Sequence, residues 1–255
     1  MKLLTYNILE GGTGRIDPLA EVIRQSDPDV VFIAEAWDES LFHKLADRLG
    51  LDCFHAVLPG NASAAVGVLS KLPIHEAVNY GPQHRGFTRS AMHAIVETPK
   101  GNLLPIFGVH LHPRETLADE DKRLGELAAL FAIADPFAGR PHILCGDFNT
   151  SHPDQPIDPA KLRPKVLERI ALQGHQLPRE VVRKLLERGY VDAHSLHHAP
   201  EEFDTTFTTS HPAMRVDYFF VTPDLCPHVQ GCDAIHHPLA RYASDHFPVL
   251  LTVDF

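Results

Sequence analysis

Six short apolar runs along this 255-residue chain stop, or start, at a carboxylate, an amide or an imidazole. Asn7 closes Thr5-Tyr6-Asn7, Glu35 closes Phe32-Ile33-Ala34-Glu35, and His110 closes Phe107-Gly108-Val109-His110. Asp147 and Asn149 close Ile143-Leu144-Cys145-Gly146-Asp147-Phe148-Asn149. Asp217 stands two positions beyond Arg215 in Met214-Arg215-Val216-Asp217-Tyr218, and Asp245-His246 precedes the last run. Any one of these is compatible with a helix cap or a turn. Six together imply convergence on one mouth, because a desolvated carboxylate is costly unless it is paired or bound to a metal. The oxygen donors of Asn7, Glu35, Asp147, Asn149 and Asp245 suit magnesium or manganese, whereas zinc would favour a His and Cys majority. An Asp beside a His adds proton handling, and Asp217 can fix an imidazole in one tautomer. The chemistry that fits is metal-assisted attack on a phosphoester.

Such ends need a frame that gathers them. Aliphatic and β-branched runs predict strands over 2–8 and 29–34 and amphipathic helices over 18–25 and 39–49, a β-α-β-α opening. From residue 64 strand signals follow one another, over 65–70, 74–79, 89–97 and 103–110, the last two joined by a Pro99-Lys100-Gly101-Asn102 turn. Leu117, Leu124, Leu127, Leu130 and Phe131 recur at helical spacing over 116–134, and 142–145 reads as a buried strand. A Pro- and Asp-rich stretch after Asn149 leads to helices near 161–172 and 178–188, then strands over 214–221, 229–235 and 247–254. Hairpins and β-α-β units coexist and no linker or repeat divides them. The expectation is a single α/β domain over 1–255, two packed mixed sheets with helices outside.

A 44% hydrophobic, 22% charged composition excludes a disordered chain. Twenty-three Lys and Arg against 33 Asp and Glu give a net charge of −10, so the average surface repels polyanions and any such substrate must be met by a local exception. The exception on offer is 161–188, with eight Lys and Arg against three Glu. It reads as a solvated helix face laced by Glu180–Lys184 and Arg183–Glu187 pairs, or as an insertion that presents positive charge to an anionic substrate. The N-terminal MKLLTYNILEGG is too short and polar for a signal peptide, and no run reaches the roughly 18 apolar residues of a membrane helix. With four dispersed cysteines read as reduced thiols, a cytoplasmic monomer is expected. His194, His197, His198, His236 and His237 lack zinc-site spacing and read as solvated loop residues. Glu10-Gly11-Gly12-Thr13-Gly14 lacks the order and the Lys of a nucleotide loop, which leaves Glu10 either near the cation site or on a simple turn.

Tyr6-Asn7-Ile8, Ala34-Glu35, Val109-His110-Leu111, Gly146-Asp147-Phe148-Asn149, Arg215-Val216-Asp217-Tyr218 and Ser244-Asp245-His246, in that order, resemble the motifs of the endonuclease/exonuclease/phosphatase superfamily. The resemblance spans residues 3–250 and implies a four-layer α/β/β/α sandwich with its site at one end of the paired sheets. It implies a phosphoester hydrolase using Mg2+ or Mn2+, with Asn7, Glu35 and Asp245 as metal ligands. Asp147 then orients the attacking water with help from Asn149, His246 held by Asp217 contacts the scissile phosphate, and His110 is its partner across the site. Arg89, in Thr88-Arg89-Ser90, matches a phosphate-binding position. Three positions depart from the pattern: Ala34 replaces a usual Gln, Trp37 replaces a frequent basic residue, and no carboxylate between residues 61 and 67 supports His110. Trp37 reads as a rim residue packed over the next helix, or as a platform for a base or sugar. The expected substrate is a nucleic-acid phosphodiester, DNA or RNA, ahead of a phospholipid or an inositol or sugar phosphate. A non-catalytic scaffold is disfavoured because none of the groups is missing.

Overall fold

The structure of the chain, a computed structural model, describes residues 1–81, 86–199 and 201–255. In order run β1 (Lys2–Asn7), α1 (Ile16–Ser26), β2 (Val30–Ala34), α2 (Glu39–Leu49), β3 (Asp52–Leu58), β4 (Asn61–Ser70), β5 (Ile74–Asn79), β6 (Ala91–Glu97) and β7 (Leu103–His110). There follow α3 (Leu117–Ala134), β8 (Ile143–Asp147), α4 (Pro164–Ala171), α5 (Glu180–Glu187), β9 (Val191–Asp192), β10 (Asp217–Val221), β11 (Val229–Ala234), α6 (Ala240–Ala243) and β12 (Val249–Val253). The strands form two six-stranded sheets, ordered β11-β12-β1-β2-β4-β3 and β5-β6-β7-β8-β10-β9. Both are mixed: β1 runs parallel to β2 and β7 parallel to β8, while β12, β4, β6 and β10 flank these pairs antiparallel.

The sequence of β2 explains the layering. All five residues are buried, and Val30, Phe32 and Ala34 join Met92, Ala94, Ile106, Cys145 and Phe219 of the second sheet in one apolar cluster. The alternate residues Val31 and Ile33 pack instead with Leu19 and Ile23 of α1 and Phe42 and Leu45 of α2. On the outer face of the second sheet Phe107, Leu144 and Phe220 meet Leu127 and Leu130 of α3 and Val181 and Leu185 of α5. Helices, sheet, sheet and helices therefore stack as the four-layer sandwich that the motifs implied. Two glycines mark close approaches, one between the sheets and one between neighbouring strands of the second sheet. A Cβ on Gly108 would lie 1.9 Å from the Phe32 ring, and one on Gly146, whose φ is +131°, would lie 1.9 Å from the Val109 carbonyl oxygen.

Several expectations are corrected. β3 has no counterpart in the sequence reading: it is an edge strand paired only with β4, and Ala56 alone among its residues is buried, so its alternation is faint. The strand expected from residue 214 begins at Asp217, so Arg215 lies outside it; the Arg215 guanidinium pairs with buried Asp192, Nη1 to Oδ1 3.2 Å. The pairs on α5 are Arg183–Glu180 at 3.0 Å and Lys184–Glu187 at 2.7 Å, three residues apart and not four. The histidines near 194 are docked, not solvated. His194 is buried and stacks on His198 with centroids 3.9 Å apart, His198 lies 2.9 Å from Asp233, and His197 lies 3.0 Å from the Val229 carbonyl. All four cysteines are free thiols. Among the described residues no helix is long and apolar enough to cross a membrane.

Candidate active site

Strand direction decides where the polar ends collect: a parallel pair finishes at one edge, and an antiparallel neighbour starts there. β1 and β2 finish together with Asn7 opposite Ala34, and Glu35 follows at once. β7 and β8 finish with His110 opposite Asp147, and β10 starts with Asp217 opposite the same Asp147. β6 starts beside the end of β7, Ala91 opposite Val109, which brings Arg89 to His110. β12 starts beside the end of β1, and the Ser244 hydroxyl fastens its approach by donating to the Asn7 carbonyl at 2.6 Å and accepting the His246 N–H at 3.2 Å. All nine residues expected from the sequence thus lie at one edge of the paired sheets.

Asp147 is central and only 1% exposed. Its Oδ2 accepts from Asn7 Nδ2 at 3.0 Å and its Oδ1 from the Asn149 N–H at 2.9 Å; the Nε2 atoms of His110 and His246 stand 3.4 and 3.8 Å from Oδ2. Burial and the Asp217 carboxylate push its pKa up to about 7, against the opposing pull of His246 and the bonds from Asn7 and Asn149. Asn149, at φ +51°, also donates to the Leu111 carbonyl at 3.0 Å. Because Asn7 Oδ1 accepts the Leu9 N–H at 3.0 Å, its amide nitrogen faces the carboxylates and also reaches Glu35 Oε1 at 3.3 Å. Glu35 is half-buried at φ +59°, a left-handed backbone that costs a non-glycine residue about 1 kcal/mol or more. Its Oε2 accepts the Glu10 N–H at 2.8 Å, which turns the half-open carboxylate toward the rim, while Glu10 itself is exposed.

The two imidazoles are set in opposite ways. His246 Nδ1 lies 2.9 Å from Asp217 Oδ2. Burial lowers its pKa, but the Asp217 and Asp147 carboxylates outweigh burial and raise it to about 10. The ring is an imidazolium with Nδ1–H on Asp217 and Nε2–H free, 4.0 Å from Asp245 Oδ1. His110 is also buried, but its Nδ1 faces Arg89 Nη1 at 3.2 Å, and that nitrogen also donates to the Ser63 carbonyl at 3.1 Å. A guanidinium has no acceptor, so Nδ1 accepts and the His110 proton sits on Nε2. Burial, then Arg89, hold its pKa well below the usual imidazole range. Arg89 therefore occupies the supporting position for which residues 61–67 offer no carboxylate.

Supporting residues carried little signal in the sequence. Thr206 Oγ1 accepts the N–H groups of Val216 and Asp217 at 3.0 and 3.2 Å, and the neighbouring Phe207 ring lies 4.7 Å from the His246 ring; in Thr205-Thr206-Phe207-Thr208-Thr209 nothing singles out one threonine. Glu126 on α3, fully buried, accepts the N–H groups of Thr88 at 2.9 Å and His112 at 2.6 Å, which holds the segments carrying Arg89 and His110. The His112 ring turns to Asp119 at 3.1 Å. Trp37 is half-buried with an unpartnered Nε1, and Asp217 Oδ1 is likewise buried without a partner. Asp147, Asp217 and His246 offer ligand atoms that all lie within 4.8 Å of one another.

A charged and a neutral imidazole facing one buried carboxylate, with further carboxylates at the rim, define a class of catalyst for phosphoester hydrolysis. The model of the Endonuclease/Exonuclease/phosphatase family matches residues 4–246, and the chain belongs to that family. Among solved structures it is similar to a 3′ phosphatase from Neisseria bound to product DNA hairpin, at 18% identity and TM-score 0.76 over all of both chains. An AP endonuclease from Archaeoglobus fulgidus gives 19% and 0.76, again over all of both. A functionally unknown conserved protein from Enterococcus faecalis gives 19% and 0.72 over all of this chain and 99% of the other. At such identities the likeness is one of fold. No curated protein sequence matches the chain.

Proposed function

We propose that this phosphoester hydrolase is a divalent-metal-dependent phosphodiesterase of nucleic acid. The observation that carries the reading is Asp147, buried between two imidazole Nε2 atoms at 3.4 and 3.8 Å and held by Asn7 and Asn149. Asp147 orients the attacking water and takes its proton, a task for which a pKa near neutrality is suited. The His246 imidazolium gives a charge-assisted hydrogen bond to the phosphate, with Asp217 fixing the ring. His110 donates from the other side, and Arg89 fixes its tautomer and offers its remaining N–H groups to the same phosphate. We take the protein to act as a cytoplasmic monomer, the oligomeric part of which sedimentation tests.

The donor set fits a hard cation. Glu35 and Asp245 would hold magnesium or manganese at the half-open rim, and Asn7 would join them through Oδ1, the atom that here accepts the Leu9 N–H while Nδ2 faces the carboxylates. When bound, the ion polarises a non-bridging phosphate oxygen and offsets the local carboxylate charge. A second reading puts the ion among Asp147, Asp217 and His246, favoured by the unpartnered Asp217 Oδ1 and opposed by the His246 Nδ1, already engaged with Asp217 Oδ2 at 2.9 Å. Calorimetric titration with Mn2+ separates the two: Glu35→Gln weakens binding at least about tenfold if the rim is the site, and Asp217→Asn does so if the inner cluster is.

The test of function is a substrate panel run with magnesium and with EDTA: single- and double-stranded DNA, abasic DNA, RNA, sphingomyelin and inositol phosphates. Nucleic acid should be cleaved with magnesium only, and Asp147→Ala and His246→Ala should lose the activity. Activity that survives EDTA, or either variant at wild-type rate, overturns the reading.

A further inference from the structure

The basic segment 161–188 invites the question of which of its charges are free. Most of its arginines are engaged. Arg169 pairs with Glu115 at 2.7 Å, Arg183 with Glu180 at 3.0 Å, and Arg188 with Asp135. Arg179 donates to the backbone carbonyls of His152, Pro153 and Gln155 at 2.5 to 2.9 Å, so it braces the loop that follows Asn149. Arg163 differs. Among the described residues it has no carboxylate or carbonyl partner, and its guanidinium lies over the Phe207 ring, Cζ 4.7 Å from the centroid.

Phe207 is not an ordinary surface ring. Its ring centroid lies 4.7 Å from that of His246, the two rings tilted by 40°, and its backbone is fixed by bonds with Met214 and by a bridge to His246. Arg163 and the His246 imidazolium thus both contact one anchored ring. A guanidinium stacked on an aromatic face keeps its N–H donors pointing outward in the ring plane, where they match a phosphate bidentately. The rest of the chain outside this segment is strongly acidic, so an unpaired arginine here is a local exception to the field that any polyanion meets.

We propose that Arg163, seated on Phe207, binds a phosphate neighbouring the scissile one and thereby makes the site selective for a strand of linked phosphodiesters over an ester with a single phosphate. The inference rests on the phosphodiesterase reading above and adds the residue that sets substrate class.

The test compares two probes, a single-stranded oligodeoxynucleotide and bis(p-nitrophenyl) phosphate, with magnesium at 50 to 200 mM KCl. In Arg163→Met, which keeps the packing on Phe207 but removes the charge, the ratio of kcat/KM for the oligonucleotide to that for the small diester should fall about tenfold, through KM. The slope of log kcat/KM against log salt for the oligonucleotide should flatten by about 0.7, the value for one lost contact to a single strand. Arg163→Lys should keep the slope and lose part of the ratio. Arg183→Met removes one charge from the same segment at an ion-paired position and should leave both unchanged. An unchanged ratio in Arg163→Met or an equal change in Arg183→Met overturns the proposal and leaves the phosphodiesterase reading standing. A wild-type protein that cleaves the small diester but not the oligonucleotide overturns the proposal and, with it, nucleic acid as the substrate. Cleavage of neither probe overturns that reading and this one with it.

Discussion

Asp147 is pushed up to about 7 and His246 to about 10, so between those values the pair holds a carboxylate beside an imidazolium. If both forms are needed, kcat/KM rises with pH through about 7, stays flat, and falls as pH passes about 10, and a pH–rate profile on a cleaved oligonucleotide checks this. Asp147→Asn should lower kcat by about a hundred- to ten-thousandfold and erase the acid limb. Stability carries its own sign. The His246 pKa is raised on folding, so its contribution is full below about 6.5 and fades as pH climbs through about 10. The urea midpoint should therefore drop on the alkaline side, and His246→Gln should reduce that drop. At this scale the sequence was informative, because a polar end on an apolar run is visible without knowing where the run goes. It could not show that Arg89 bonds His110, since a guanidinium 21 positions upstream carries no sign of its partner.

Elements hold those residues through contacts that cross between them. Fully buried Arg123 on α3 donates to Glu120 at 2.7 Å and to the carbonyls of His112 and Arg114 at 2.8 and 2.7 Å. Glu120 in turn accepts from Thr150 at 3.2 Å and the Val181 N–H at 2.9 Å. One helix thus braces the loop after His110, the loop after Asn149 and the start of α5. Removing one partner strands a buried charge, so Arg123→Met should cost about 3–5 kcal/mol in urea unfolding. A cost below about 1 kcal/mol would show that the pair does not brace these loops. This pair is invisible in the sequence, because charged residues between the leucines of an amphipathic helix read as its wet face. Most strands and long helices were legible from their periodicity. β3 was not, since an edge strand with one buried residue has almost no pattern to read.

For the whole molecule, a net charge of −10 limits how much nucleic acid the surface can hold. With contacts confined to one or two phosphates, the log–log salt slope for a single strand should have a magnitude of about 0.7 to 1.4. A slope of about 4 or more in filter binding would reveal a long basic track, contrary to this charge distribution. The site is also divided between the sheets. Asn7, Glu35, Asp245 and His246 belong to the ends of one, and Arg89, His110, Asp147, Asn149 and Asp217 to the other. The Phe32 ring of the first sheet, seated against Gly108 of the second, then acts as a locating pin between two halves of a tool. Blunting its socket with Gly108→Ala should overpack the contact by about 1–3 kcal/mol and throw the halves out of alignment. Turnover should fall although every polar group is intact, which makes catalysis itself a gauge of how the two sheets are aligned.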